Sequence, residues 1–221
     1  MKKYSSEWFL YHLRNNGVSR WVSSSSSLYL LAITKDSRKP LDLNLPFKIN
    51  QWEDLECFEE TESWHNKKYF LSNAQEQLNS GAICVTLVQN QQLAFISWVK
   101  PESTKSTFGS VKQTVFYPPY TSTQYSGYVH PNHRGKRIFV EGLNFLAHYV
   151  FDETDTKLAV AAVDANNLPA MKSHLTSGFE PIARFDTTQL FGNEKFYMAE
   201  LTPHYKFSRV NTATWRLEAA G

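Results

Sequence analysis

The chain has 221 residues, 42% of them hydrophobic and 20% charged, with a net charge of +2 and 6 Trp, 11 Tyr and 15 Phe. That apolar bulk can offset the ordering entropy of one medium domain, which excludes intrinsic disorder for most of the chain. The mild, mixed charge argues against nucleic acid as the main partner. The two cysteines, Cys57 and Cys84, are too few for a disulfide framework or a Cys-rich zinc site, and both read as buried small apolar residues of a reducing compartment.

Residues 7–14 place Trp8, Phe9, Leu10 and Leu13 near helical spacing until Asn15-Asn16-Gly17 stops them, which predicts a short amphipathic helix. The five serines 23–27 read as a flexible joint, with a phosphosite or linker as the other reading, and 28–34 as a buried strand. The apolar run 28–33 is far short of the ~20 residues a membrane helix needs, and the Met-Lys-Lys start leads into polar Ser-Ser-Glu. A soluble cytoplasmic chain without a membrane partner is the expectation. After a polar, Pro-punctuated stretch over 36–48, Trp52, Leu55 and Phe58 mark a helix and 69–78 a second one, stopped at Gly81.

Two apolar segments, 82–88 and 93–99, joined by polar 89–92, have the pattern of a strand hairpin. Residues 101–121 read as a long Ser/Thr/Lys loop holding a possible short strand at 114–117; such length suits either function or a tolerated insertion. A fourth strand covers 124–129. From Arg137 onward Phe139, Leu143, Leu146 and Val150 recur at the helix period, the clearest helix of the chain. A fifth strand at 158–163, a helix at 168–175 ended by Gly178 and a hairpin of 181–191 with 195–201 around Gly192-Asn193 complete the pattern, whereas 203–221 has no clear period.

The most informative stretch is Tyr128-Val129-His130-Pro131-Asn132-His133-Arg134-Gly135-Lys136-Arg137-Ile138-Phe139. A strand ends, a short basic loop follows, and a long helix opens. Free backbone N–H groups and the positive helix end then point at one place, where a phosphate would fit. Arg134, Lys136 and Arg137 could be merely solvated charges, but cations at a helix N-terminus oppose its dipole, and a bound anion would reverse that penalty. His130 and His133 have metal-ligand spacing with no suitably spaced third ligand, so they read as a solvated loop pair and no metal is expected.

This stretch resembles the coenzyme A pyrophosphate loop of the GNAT superfamily of N-acetyltransferases, Arg/Gln-x-x-Gly-x-Gly/Ala after a strand, except that Arg137 and Phe139 stand where the later glycines belong. The departure requires Arg137 to turn outward or add its charge, and Phe139 to turn into the core. Downstream, Asn167, Ala170, Gly178 and Phe179 match the family's second segment, with His174 in the usual Tyr position. The resemblance covers roughly residues 26–202. It implies an α/β (α+β) GNAT fold: a mixed central sheet of about seven strands, splayed between strands four and five and flanked by helices. The corresponding domains are an N-terminal helical extension 1–25, a GNAT domain 26–202 and a C-terminal extension 203–221.

By the same resemblance the cofactor is acetyl-CoA (coenzyme A). It would be held by Tyr128, Val129, Arg134, Gly135, Lys136, Arg137, Ile138, Phe139, Asn167, Ala170 and His174. Asn167 could equally cap its helix. The implied reaction is direct attack of a small-molecule or peptide amine on the thioester, polarised by a backbone N–H near Val129. His174 is the candidate acid for the departing thiolate, a role that packing or hydrogen bonding would replace. Candidates for the base are Tyr125, His130 and the acidic residues Glu59, Glu60 and Glu62, of which Tyr125 and Glu60 are carried forward. A monomer or homodimer is expected. The lost glycines and missing Tyr leave a non-catalytic acyl-CoA sensor or interaction protein as the second reading, and a longer acyl group as the third.

Overall fold

A computed structural model of the chain describes residues 23–41, 45–63, 65–190 and 193–219. The helix expected over 7–14 and the turn at Gly192 lie outside them. In chain order the elements are β1 (Ser23–Thr34), β2 (Lys48–Ile49), α1 (Trp52–Leu55), α2 (Lys67–Asn79), β3 (Ile83–Gln89), β4 (Gln92–Lys100), β5 (Lys105–Phe108), β6 (Gln113–Phe116), β7 (Thr121–Val129), α3 (Ile138–Glu153), β8 (Leu158–Asp164), α4 (Leu168–Thr176), β9 (Glu180–Leu190), β10 (Asn193–Glu200), β11 (Tyr205–Asn211) and β12 (Thr214–Ala219).

The fold is mixed α/β, with a large mixed sheet flanked by helices. Among the described residues that sheet has eight strands in the order β10-β9-β1-β8-β7-β4-β3-β2, one more than the expected seven because a two-residue edge strand forms where the polar 36–48 stretch ends. The serine run is not a joint. Residues 23–27 continue β1 and pair antiparallel with β9, Ser23 opposite Leu190 and Ser27 opposite Asp186. Ladder bonds from an adjacent strand override the weak strand preference of serine, and Ser27 Oγ adds a short hydrogen bond to Asp186.

The sheet's two faces follow from alternation along its strands. Leu31 and Ile33 of β1, Val85 and Leu87 of β3, and Ala159, Ala161 and Val163 of β8 share one core with Ile138, Leu146 and Val150 of α3. Helix α3 buries that stripe closely: a Cβ on Gly142 would lie 2.3 Å from the Phe95 ring of β4, so only glycine permits the approach. The opposite face is covered in two halves. Over β3 and β4, Cys84, Ile96 and Trp98 pack on Leu55, Phe58 and Ala74 from the α1–α2 region. Helix α1 ends at Leu55, so Phe58 joins this core from the segment beyond it.

Over β1, β8 and β9 the cover is a second, four-stranded sheet in the order β11-β12-β6-β5. Its Val115, Phe207 and Leu217, with Val111 of the β5–β6 turn, pack on Leu30, Val160 and Phe185. The stretch expected as a loop over 101–121 thus contains a β5–β6 hairpin, and 203–221 contributes a second hairpin that pairs parallel with β6. Each segment is only four to seven residues long, too short for a period to stand out. Cys84 is buried, which pushes its thiol up to about 11, but Cys57 is only half-buried. Among the described residues no helix is long and apolar enough to cross a membrane.

Candidate active site

β7, α3 and β8 form a strand–helix–strand crossover in which β7 and β8 pair in parallel only from Thr121–Leu158 to Gln124–Ala161. Beyond Gln124 they separate: Phe95 and Ile96 of β4 keep pairing with Val129 and Tyr128, while β8 goes on pairing with β1. Two β7 residues, Ser126 and Gly127, oppose the single Ser97 of β4, and Ser126 takes φ +51°. This bulge resets the alternation, so Tyr125 and Tyr128 both join the α1–α2 side while Val129 joins the α3 side. A Cβ on Gly127 would meet the Phe139 ring at 2.6 Å.

The gap opens into a cleft of about 860 Å³, a size suited to a small-molecule ligand. Tyr128, Val129, Arg134, Gly135, Arg137, Ile138, Phe139, Asn167 and Ala170 line it, nine of the positions expected to hold a cofactor. Because the His130 N–H bonds to Ala94 O of β4, antiparallel alternation turns the Val129 amide toward the vacated β8 side. Arg134 Nε donates to Val129 O at 3.2 Å, fixing the loop against the strand. Phe139 does turn into the core, its ring centroid 5.9 Å from that of Phe95. Arg137 is exposed and caps α3 in the left-handed region, φ +61° and ψ 4°. That conformation costs an L-residue with a side chain roughly 1–2 kcal/mol. The backbone therefore keeps a glycine-like shape there while the side chain places a cation on the cleft.

Other expected residues sit elsewhere. Lys136 is exposed and is not among the cleft-lining residues. His174 is 3% exposed, with Nδ1 2.8 Å from Ala170 O and Nε2 2.9 Å from the Gln124 amide, which in turn donates to Ser97 Oγ at 2.8 Å. Both ring nitrogens face carbonyl oxygens, and burial holds the pKa below the ordinary histidine value, so the neutral ring donates to one of the two. The ring ties α4 to β7 and presents no free proton to the cleft. Glu60 Oε1 accepts the Lys67 N–H at 2.6 Å, so this carboxylate supports the start of α2. Tyr125 donates to Gln77 Oε1 at 2.7 Å, and burial raises its pKa, which opposes a base role near neutrality. Asn167 caps α4, accepting the Ala170 N–H at 3.2 Å, while also lining the cleft.

His133, Lys172 and Ser173 also line the cleft and were not singled out as contacts by the sequence. Lys172 follows Ala170 by two positions and adds a third cation to Arg134 and Arg137. The histidine pair is buried rather than solvated, His130 at 2% and His133 at 3% exposure. Among the described residues no group of three or more His, Cys, Asp or Glu could hold a metal ion. Glu59 organises the pair: Oε2 lies 3.2 Å from His130 Nε2 and accepts from Gln92 Nε2 at 3.0 Å, while Gln92 Oε1 lies 3.1 Å from His133 Nε2. A carboxylate only accepts, so it fixes the Gln92 amide and with it the Nε2–H tautomer of His133. Burial first, then Lys136 and His130, lower the His133 pKa and keep the ring neutral.

The model of the Acetyltransferase (GNAT) family matches residues 49–179, from β2 through the second segment after α4. The chain belongs to the GNAT acetyltransferase family. Among solved structures, a GNAT-family acetyltransferase from Colwellia psychrerythraea shares 13% identity with a TM-score of 0.53, covering 82% of this chain and 57% of its own. A tandem GNAT protein from the clavulanic acid biosynthesis pathway is 19% identical with a TM-score of 0.48, covering 80% of this chain and 54% of its own. The chain thus spans little more than half the length of either. A putative acetyltransferase from Salmonella typhimurium, solved with its cofactor acetyl-CoA, is 17% identical with a TM-score of 0.42, covering 72% of this chain and 95% of its own. No curated protein matches the sequence. At these identities the GNAT likeness speaks for the fold, and the chemistry rests on the cleft.

Proposed function

We propose that this GNAT protein is an acetyl-CoA-dependent N-acetyltransferase that moves an acetyl group to a primary amine of a small molecule or peptide. One observation carries the reading: the sheet is open between β7 and β8, and the opening is accessible from both faces. On the α3–α4 face lies the cleft with Arg134, Arg137 and Lys172. On the other face Ala162, inside β8, is exposed between the α1–α2 layer and the second sheet. Coenzyme A would enter from the first face, its diphosphate on the loop before α3 and its pantetheine arm along Tyr128 and Val129. The amine would approach from the second.

The amine nitrogen attacks the acetyl carbonyl carbon, the C–S bond breaks, and its electron pair leaves on sulfur. The thiolate takes a proton and the ammonium product loses one. The Val129 N–H, turned to the gap, suits polarisation of the carbonyl as charge gathers on oxygen. We assign His174 a positioning part, because its ring holds Gln124 and α4 at the point where the strands separate. The second sheet, built partly from the 203–221 extension, braces the β1–β9 half. The cytoplasm, where acetyl-CoA is available, remains the expected place of action. Calorimetry with acetyl-CoA tests the cofactor assignment. We expect saturable binding that Arg134→Ala weakens by about tenfold, equivalent to ~1.4 kcal/mol; absence of binding by the unmodified chain would remove the assignment.

A further inference from the structure

Beside the cleft lies a second cavity of about 540 Å³, between the segment preceding residue 42 and one flank of α3. It shares Arg137, Val140 and Thr176 with the cleft, so the two form adjoining compartments with Arg137 on the ridge between them. Lys39 also lines this second cavity, and the described wall is held in place by side chains of α3. His148 Nε2 is 2.9 Å from Lys39 O, and Arg38 donates to Asp152 at 2.8 Å. Inside, Glu141 Oε2 and Asn144 Oδ1 are buried with no hydrogen-bond partner among the described residues. Three positions apart on a helix, they present a paired set of acceptors on one face.

Unpaired buried acceptors cost free energy, roughly 1–3 kcal/mol each, and a non-glycine residue held in the left-handed region adds strain at the same place. Together these features describe a site that a ligand would complete. The acceptors need N–H donors, and the Lys39 and Arg137 cations need an anion. The Glu141 carboxylate excludes a phosphate from the inner end and keeps it at the cationic rim.

We infer that this side cavity takes the nucleotide end of the coenzyme, with the exocyclic amine of the base on Glu141 and Asn144 and the ribose phosphate between Lys39 and Arg137. The inference rests on the coenzyme A reading of the cleft and adds to it a base-reading compartment. Arg137, present where the family loop has glycine, joins the two compartments.

The test compares calorimetric affinities of coenzyme A, 3′-dephospho-coenzyme A and 4′-phosphopantetheine for the full chain, Lys39→Ala and Asn144→Leu. The unmodified chain is expected to bind coenzyme A about tenfold or more tightly than 4′-phosphopantetheine. Asn144→Leu should weaken coenzyme A and dephospho-coenzyme A about tenfold and leave 4′-phosphopantetheine unchanged. Its melting temperature should hold, since the replacement removes an unpaired acceptor. Lys39→Ala, at an exposed side chain, should weaken coenzyme A but neither of the two ligands lacking the 3′-phosphate. Equal affinity for coenzyme A and 4′-phosphopantetheine, or variants that weaken all three ligands alike, would overturn the inference while leaving the cofactor assignment intact. No binding of any of the three would overturn both.

Discussion

Glu59 accepts a hydrogen bond from His130, Oε2 standing 3.2 Å from Nε2, and this contact sets the base of the anion loop. His130 Nδ1 already accepts the Asn132 N–H at 3.2 Å, so Nε2 must carry the proton. The same carboxylate reaches His133 through Gln92, which makes one half-exposed acid the support of two buried rings.

Removing that support leaves a buried donor on His130 unpaired and frees the Gln92 amide. Glu59→Ala is expected to destabilise the fold by about 1–2 kcal/mol, allowing for the exposure of the carboxylate. Urea denaturation checks this: the midpoint should fall with an unchanged slope. An unchanged midpoint would contradict the assigned network.

His133 and His174 are both held below the ordinary histidine value, chiefly by burial. Above the unfolded value of ~6.5 both states are neutral, and stability is flat with pH. As pH falls through ~6.5 the unfolded chain takes up protons that the folded rings refuse, so stability drops until the depressed folded values are reached. Denaturation midpoints at pH 7.5 and 5.5 should therefore differ less in His174→Gln than in the parent chain. An equal loss in both would contradict the buried neutral ring.

The two replaced glycines of the loop should respond in opposite ways to restoration. Arg137→Gly relieves a left-handed residue but adds freedom to the unfolded chain, for a net gain of a few tenths to about 1 kcal/mol. Coenzyme A affinity should fall about tenfold at the same time, through loss of a charged contact. Thermal denaturation together with calorimetry separates the two effects, and a variant that is both less stable and tighter binding would contradict the account.

Phe139→Gly, in contrast, should destabilise by about 3 kcal/mol. It removes a ring that packs at 5.9 Å on Phe95 and 5.7 Å on His174, and it places glycine in the first turn of α3. A melting temperature equal to that of the parent would show that the ring does not support the cleft floor.

Much of this arrangement was readable in the chain. The apolar period of α3 and the polar-to-basic switch after Val129 located the cleft because helix burial and anion binding both leave local signals. The bulge at Ser126 and Gly127 did not, since a strand period of two places Tyr125 and Val129 on one face, and only pairing against Ser97 separates them. His174 was placed correctly in α4, but its partner Gln124 lies 50 residues away, and no spacing rule links them. Lys172 had a simple signal, a cation two positions beyond Ala170 on the helix expected to face the cofactor. The serine strand and the pairing of β12 with β6 that joins the second sheet's two hairpins depended on partners more than 80 residues distant, beyond any local pattern.

The most direct measurement of the central claim is release of coenzyme A thiol from acetyl-CoA by the full chain across a panel of small amines and N-terminal or lysine-bearing peptides. The account predicts release that depends on one class of amine, with one thiol formed per amine acetylated. Saturable acetyl-CoA binding with no amine-dependent release across the panel would contradict catalysis and leave a binding protein in its place.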